Sequence, residues 1–118
     1  MYLLDSNILI YYLDGHKEVG SFVDQIQGKA FISVVSVTEL LAKPGLKKDQ
    51  VELIEAFLEQ FSVLDIDEKL AKEAASIKRK YGLSFPDALL AASAKIFDLY
   101  LVSKDKVFTK IVELKVIG

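Results

Sequence analysis

Met1-Tyr2-Leu3-Leu4-Asp5-Ser6-Asn7-Ile8-Leu9-Ile10-Tyr11-Tyr12-Leu13 opens the chain, and the order of its parts decides the fold. Met1 to Leu4 is a short apolar run that reads as a buried strand. Ser6 follows as a cap for a helix reaching about Leu13, with Gly15 as its stop. Asp5 is left standing between strand and helix. Strand, acid, helix is the pattern from which the rest of the chain can be read.

Working outward, the same alternation recurs. Glu18 to Gln27 carries Val19, Phe22, Val23 and Ile26 at helical spacing. Lys29 to Ser33 reads as a second strand, and Val35 to Ala42 as a short helix ended by Pro44-Gly45. Val51, Ile54, Phe57, Leu58 and Phe61 make an apolar stripe on a helix spanning Gln50 to Phe61. Ser62 to Ile66 reads as a third strand. Glu68 to Tyr81 is helical, stopped by Gly82, and Pro86 occupies the first turn of a helix reaching about Phe97. Leu99 to Val102 is a fourth strand. A helical turn is expected after Asp105, and a fifth strand from Glu113 to Ile117. Strands alternating with helices predict an α/β fold with a mainly parallel sheet of four or five strands. Ligands of such sheets bind beyond the carboxyl ends of the strands, where the strand order reverses.

The chain has 118 residues, which suits one domain over residues 1–118. There is no cysteine, which excludes disulfides, thiolate metal sites and cysteine nucleophiles. His16 is the only histidine, stands near a helix end and is given no role. Any metal ligands must therefore be oxygens, which hard cations such as Mg²⁺ and Mn²⁺ prefer. A formal net charge of -2 gives no general attraction to nucleic acid, so any such attraction is local. No apolar run approaches the roughly 20 residues of a membrane span. The start lacks the basic and long apolar segments of a signal peptide, and a cytoplasmic location is expected.

Four acids fall at the carboxyl edge of the expected sheet. Asp5 follows the first strand, and Glu39 lies in the helix after the second. Asp87 opens the helix feeding the fourth strand, and Asp105 lies just past that strand. Each has an ordinary account as well. Ser36-Val37-Thr38-Glu39 and Ser84-Phe85-Pro86-Asp87 fit capping boxes, Asp105 can cap the turn behind it, and Asp5 can favour a helix N-terminus. Together they ask for more. Two carboxylates about 4 Å apart repel by roughly 4 kcal/mol at an effective dielectric near 20. A cluster of four needs protons or cations, and a divalent ion both neutralises it and gives it a use.

Asp5-Ser6-Asn7, Glu39 in SVTELLA, Asp87 in FPDALLAASA and Asp105 in LVSKDKVF carry a resemblance to the PIN domain. The pattern is similar to that of the VapC-type toxin ribonucleases of toxin–antitoxin modules. It extends over nearly the whole chain with its blocks in the family's order. The resemblance implies a three-layer α/β/α fold and an Mg²⁺- or Mn²⁺-dependent ribonuclease. It also implies a homodimer, blocked by a cognate antitoxin. The family's acidic positions map onto Asp5, Glu39, Asp87 and Asp105, and its small polar positions onto Asn7 and Ser103.

Phosphodiester hydrolysis needs an activated water and relief of charge on the phosphate, and a bound ion supplies both. Asp5 and Asp87, with Asp105 next, are the expected direct ligands. Glu39 is expected to reach a bridging water or a second ion. Asn7, Ser103 and Ser6 are expected to orient carboxylates or meet phosphate, though ordinary capping accounts for them equally well. Lys104 and Lys106 are candidates for substrate phosphate, with a solvated surface as the alternative. Lys78 to Lys80 read as lysines and arginine favoured by a helix C-terminus. Lys43, Lys47 and Lys48 add positive charge around Pro44-Gly45. Apolar residues crowding the first and fourth helices suit the core, a second copy or an antitoxin segment.

The main rival is a receiver-type phosphoacceptor domain, also α/β and Mg²⁺-binding. It wants an acidic pair after the first strand, where Asp5 is followed by Ser6. It also wants a phosphoacceptor after the third, for which Asp65 and Asp67 are the only offers. A phosphatase with an Asp nucleophile would want a second Asp where Asn7 stands. A non-catalytic module on the same fold would have no need of all four acids.

Overall fold

In the computed structural model, which describes residues 1–118, β1 (Tyr2–Leu4) forms the middle of a five-stranded sheet. It pairs with β2 (Ala30–Ser33) on one side and β4 (Tyr100–Val102) on the other. β3 (Ser62–Leu64) flanks β2, and β5 (Lys115–Ile117) flanks β4. Every pairing is parallel and the order is β3-β2-β1-β4-β5.

Six α-helices connect the strands: α1 (Ser6–Leu13), α2 (Lys17–Gln25), α3 (Val34–Leu41), α4 (Lys48–Leu58), α5 (Glu68–Tyr81) and α6 (Phe85–Ile96). A 3₁₀ helix, Lys106–Lys110, precedes β5. Alternation of side chains along the strands divides the interior into two cores. Leu3 and Leu101 face a core built with Leu70, Ala74 and Ile77 of α5 and the buried face of α6. Leu4, Ile32 and Val102 face the opposite core, with Ile8 and Leu9 of α1, Val19 and Val23 of α2, Leu40 of α3 and Phe57 of α4. The result is the expected three-layer α/β/α arrangement, with an all-parallel sheet that is apolar on both faces. No helix is long and apolar enough to cross a membrane.

Element ends differ from expectation in instructive ways. Asp5, not Ser6, is the cap of α1: its Oδ1 accepts the Ser6 backbone N–H at 2.7 Å. α3 starts directly after β2, with Ser33 as its cap, its Oγ accepting the Val35 N–H. Ser36 therefore lies inside the helix, and the spacing to Glu39 is no capping box. His16 is the cap of α2, its Nδ1 accepting the Val19 N–H. α4 begins and ends earlier than its apolar stripe suggests, because Phe61 packs from the segment beyond it. Gly82 closes α5 at φ 67, a left-handed conformation that glycine adopts without a Cβ penalty. Ser84 caps α6 through the Asp87 N–H, as its spacing predicts.

The strand order removes the receiver alternative. In that doubly wound order β1 sits between β2 and β3, and an acid after β3 would share the crevice with one after β1. Here β3 is an edge strand and β1 neighbours β4. Asp65 is exposed, and Asp67 caps α5 by accepting the Leu70 N–H.

Leu3 and Leu4 are each 0% exposed and serve opposite cores from adjacent positions. Leu3→Ala and Leu4→Ala are each expected to cost about 2–5 kcal/mol through lost burial and a residual cavity. Urea unfolding midpoints measure this. A loss confined to one of the two variants would contradict a sheet loaded on both faces.

Candidate functional site

The chain leaves β1 to one side of the sheet, towards β2, and arrives at β4 on the other. The crevice at this reversal lies between the carboxyl ends of β1 and β4. Asp5 and Ser103 stand there. The Asp5 backbone N–H donates to the Val102 carbonyl at 3.0 Å, which carries the β1–β4 pairing up to the acid. Asp5 is only 9% exposed and Ser103 2%. Ser103 donates its hydroxyl to Asp5 Oδ2 at 2.6 Å, joining residues 98 positions apart. Ser103 Oγ in turn accepts the Asp105 N–H at 3.0 Å. Asp105 is exposed, and its Oδ1 caps the 3₁₀ helix through the Val107 N–H.

The other two acids come from helices. Asp87 lies in the first turn of α6, half-buried. Glu39 lies near the end of α3, exposed as a residue, with Oε1 accepting the Ser6 hydroxyl proton at 2.6 Å. Ser6 Oγ also lies 2.9 Å from the buried Ser36 Oγ. Ser6 thus touches two acids, Asp5 with its N–H and Glu39 with its hydroxyl. Asn7 Oδ1 is the one buried side-chain polar atom in the protein with no hydrogen-bond partner. It is an acceptor with nothing to accept, two residues past Asp5.

Burial, above all, raises the Asp5 carboxyl above its ordinary value. The bonds from Ser103 and Ser6 oppose the rise, and repulsion from Asp87 and Glu39 adds to it. Burial likewise raises Asp87, against the hydroxyl of Ser84, with Asp105 and Glu39 adding repulsion. Asp87 therefore feels, or is felt by, each of the other three acids. All four side chains belong to one electrostatic neighbourhood at one edge of the sheet. No three of them converge tightly enough to enclose a cation unaided. Asp5, Asp87 and Asp105 do not close a three-carboxylate cage. A hard cation at this edge would keep water in much of its shell, which is how Mg²⁺ is ordinarily held. All-oxygen donors, carboxyls raised by burial and mutual repulsion, and a partnerless amide oxygen fit such an ion.

Lys104 and Lys106 flank Asp105, are exposed and take part in no ion pair. Lys78 lines an apolar groove of about 570 Å³ between α3 and α5–α6, with Glu39 at its edge and Phe85 at its rim. Lys80 is instead paired with Glu113. A second groove of about 330 Å³, between α1, α3 and α4, also borders Glu39 and contains Ile10, Leu13, Lys43 and Leu53. Ser36 is the buried polar residue at the site for which spacing suggests only a cap. Its signal was a hydroxyl in an otherwise apolar helical run.

Comparison with known proteins gives the class. The PIN domain family pattern matches residues 2–114, and the chain belongs to the PIN domain family. Within it the chain is similar to proteins named ribonuclease VapC. Ribonuclease VapC2 of Haemophilus influenzae is 30% identical, over 97% of this chain and 94% of its own. Ribonuclease VapC2 of Methanocaldococcus jannaschii is 25% identical, over 96% and 90%. Among solved structures, a chain of a toxin–antitoxin complex from Klebsiella pneumoniae superposes with a TM-score of 0.88 at 24% identity, over 100% of this chain and 97% of its own. A chain of DNA-bound VapBC from Salmonella typhimurium gives 0.88 at 19%, over 98% and 96%. These structural likenesses bear on the fold.

A carboxyl raised on folding binds more protons in the native than in the unfolded protein. Stability then falls as pH rises from the unfolded value towards the raised one, and the penalty persists above it. Asp87→Asn removes such a penalty. In EDTA at pH 7 the variant is expected to melt above the wild type, and the gap is expected to close below about pH 4, near the unfolded value. Thermal melts across pH check this. An Asp87→Asn melting point at or below wild type at pH 7 would contradict the burial of Asp87 and its repulsion by Asp105 and Glu39.

Proposed function

We propose that this chain is a single-domain endoribonuclease that hydrolyses RNA phosphodiesters with Mg²⁺ or Mn²⁺. We further propose that it is the cytoplasmic toxin of a toxin–antitoxin pair, acts as a homodimer and is silenced by a cognate antitoxin. The observation that carries the catalytic reading is Asp5. It is a carboxylate buried at the strand-order reversal, hydrogen-bonded by Ser103 and Ser6 and subject to repulsion from Asp87 and Glu39. An ordinary capping acid has no need of burial or of acidic neighbours.

Asp5 and Asp87, with Asp105, would hold the ion, and Glu39 would act on a water beside it. The ion, when bound, lowers the pKa of its water and relieves charge on the phosphate. The chain's own residues set the stage. Ser103 fixes the Asp5 carboxylate in one orientation while its Oγ accepts the Asp105 N–H. Asn7, two residues further on, has a buried amide oxygen with no partner. Lys104 and Lys106, uncommitted to other partners, are suited to substrate phosphate. Names of relatives as ribonucleases support the reaction, and the toxin–antitoxin complexes among structural neighbours support a protein inhibitor. The two apolar grooves beside Glu39 offer surface for that inhibitor or for a second copy.

Purified protein is expected to cut RNA with Mg²⁺ or Mn²⁺ and to stop when EDTA is added. Asp5→Asn is expected to lower the rate by about 100-fold or more, as loss of a group that holds a catalytic ion does. Asp98→Asn, an exposed acid paired with Lys115 away from the site, serves as control. Wild-type cleavage by Asp5→Asn would remove the proposal.

A further inference from the structure

Ser36 is 1% exposed, and its hydroxyl has one partner, Ser6 Oγ at 2.9 Å. Ser6 Oγ lies 2.6 Å from Glu39 Oε1. A hydroxyl has one proton, and a carboxylate oxygen only accepts. The Ser6 proton therefore points to Glu39, and Ser6 can offer Ser36 only a lone pair. Ser36 must donate. The chain of bonds has a single sense, from Ser36 to Ser6 to Glu39.

Other hydroxyls within helices here behave differently. Thr38 donates to the Val34 carbonyl and Ser93 to the Leu89 carbonyl, each four residues back. Ser36 spends its proton across helices, on α1. Glu39 forms no ion pair, and the Ser6 hydroxyl is its one side-chain hydrogen bond. The rotamer of an exposed glutamate thus depends on one serine, whose own rotamer depends on another.

We propose that Ser36 is a positioning residue. It locks the Ser6 hydroxyl towards Glu39 and so holds one Glu39 oxygen against α1, leaving the other free for the reaction. Bonds in series polarise one another, which strengthens the contact to the carboxylate. The kinetic part of this inference rests on the nuclease function proposed above; the geometric part does not.

Two measurements test it. One is the Glu39 side-chain carboxyl ¹³C resonance in metal-free protein. The other is RNA cleavage with Mn²⁺, resolved into kcat and KM. Ser36→Ala is expected to shift the Glu39 resonance and to lower kcat about three- to tenfold with KM unchanged, the size of one net hydrogen bond. Ser6→Ala is expected to do at least as much. Because the two act in series, Ser6→Ala/Ser36→Ala is expected to match Ser6→Ala alone. Ser36→Cys, which keeps the shape and weakens the donor, gives the same readout should the alanine variant fail to fold. An unmoved Glu39 resonance in the Ser36 variants, or independent effects of the two serines, would overturn the proposal. A wild type that cuts no RNA would remove the nuclease function, while the resonance would still decide the relay.

Discussion

A carboxylate is kept out of water at the end of the central strand, and the arrangement of its surroundings answers to that constraint. Burying Asp5 disfavours its charged form, and the fold meets the demand with two fixed donors. One is the peptide N–H of Ser6, presented by the first turn of α1. The other is the hydroxyl of Ser103, brought by β4. The second exists because strand order places the ends of β1 and β4 side by side. The same reversal that opens a crevice supplies a group that makes a buried acid tolerable within it.

Much of this was legible in the sequence, for a definite reason. Strand-forming runs at Met1–Leu4, Lys29–Ser33 and Leu99–Val102 are apolar on both faces, as parallel strands between two helical layers must be. That made the sheet readable, and with it the edge at which Asp5 and Asp105 emerge. Asp87 was readable because Ser84 and Pro86 announce the helix start it belongs to. Glu39 was located by its place after β2.

What escaped was local and depended on a single turn of backbone. Ser36 four-square in a Ser-x-x-Glu pattern looks like a cap, yet α3 begins two residues before it, because Ser33 closes β2 and starts the helix at once. A shift of that size turns a capping hydroxyl into a buried one that reaches α1. His16 likewise gave no sign of capping α2, since imidazole is an uncommon acceptor there. Nor does composition reveal which lysines are committed: Lys80 meets Glu113 from 33 positions away, whereas Lys104 and Lys106 meet no acid. Such pairings are properties of the assembled layers.

Ser6 grips one acid through its backbone and another through its side chain. Asp5 and Glu39 are thereby fastened to the same residue of α1. Asp87 hangs from α6, on the far layer of the sheet, and has no such tether to them. The spacing between Asp5 and Glu39 is thus set by one residue, whereas their spacing from Asp87 is set by how the two helical layers pack on the sheet.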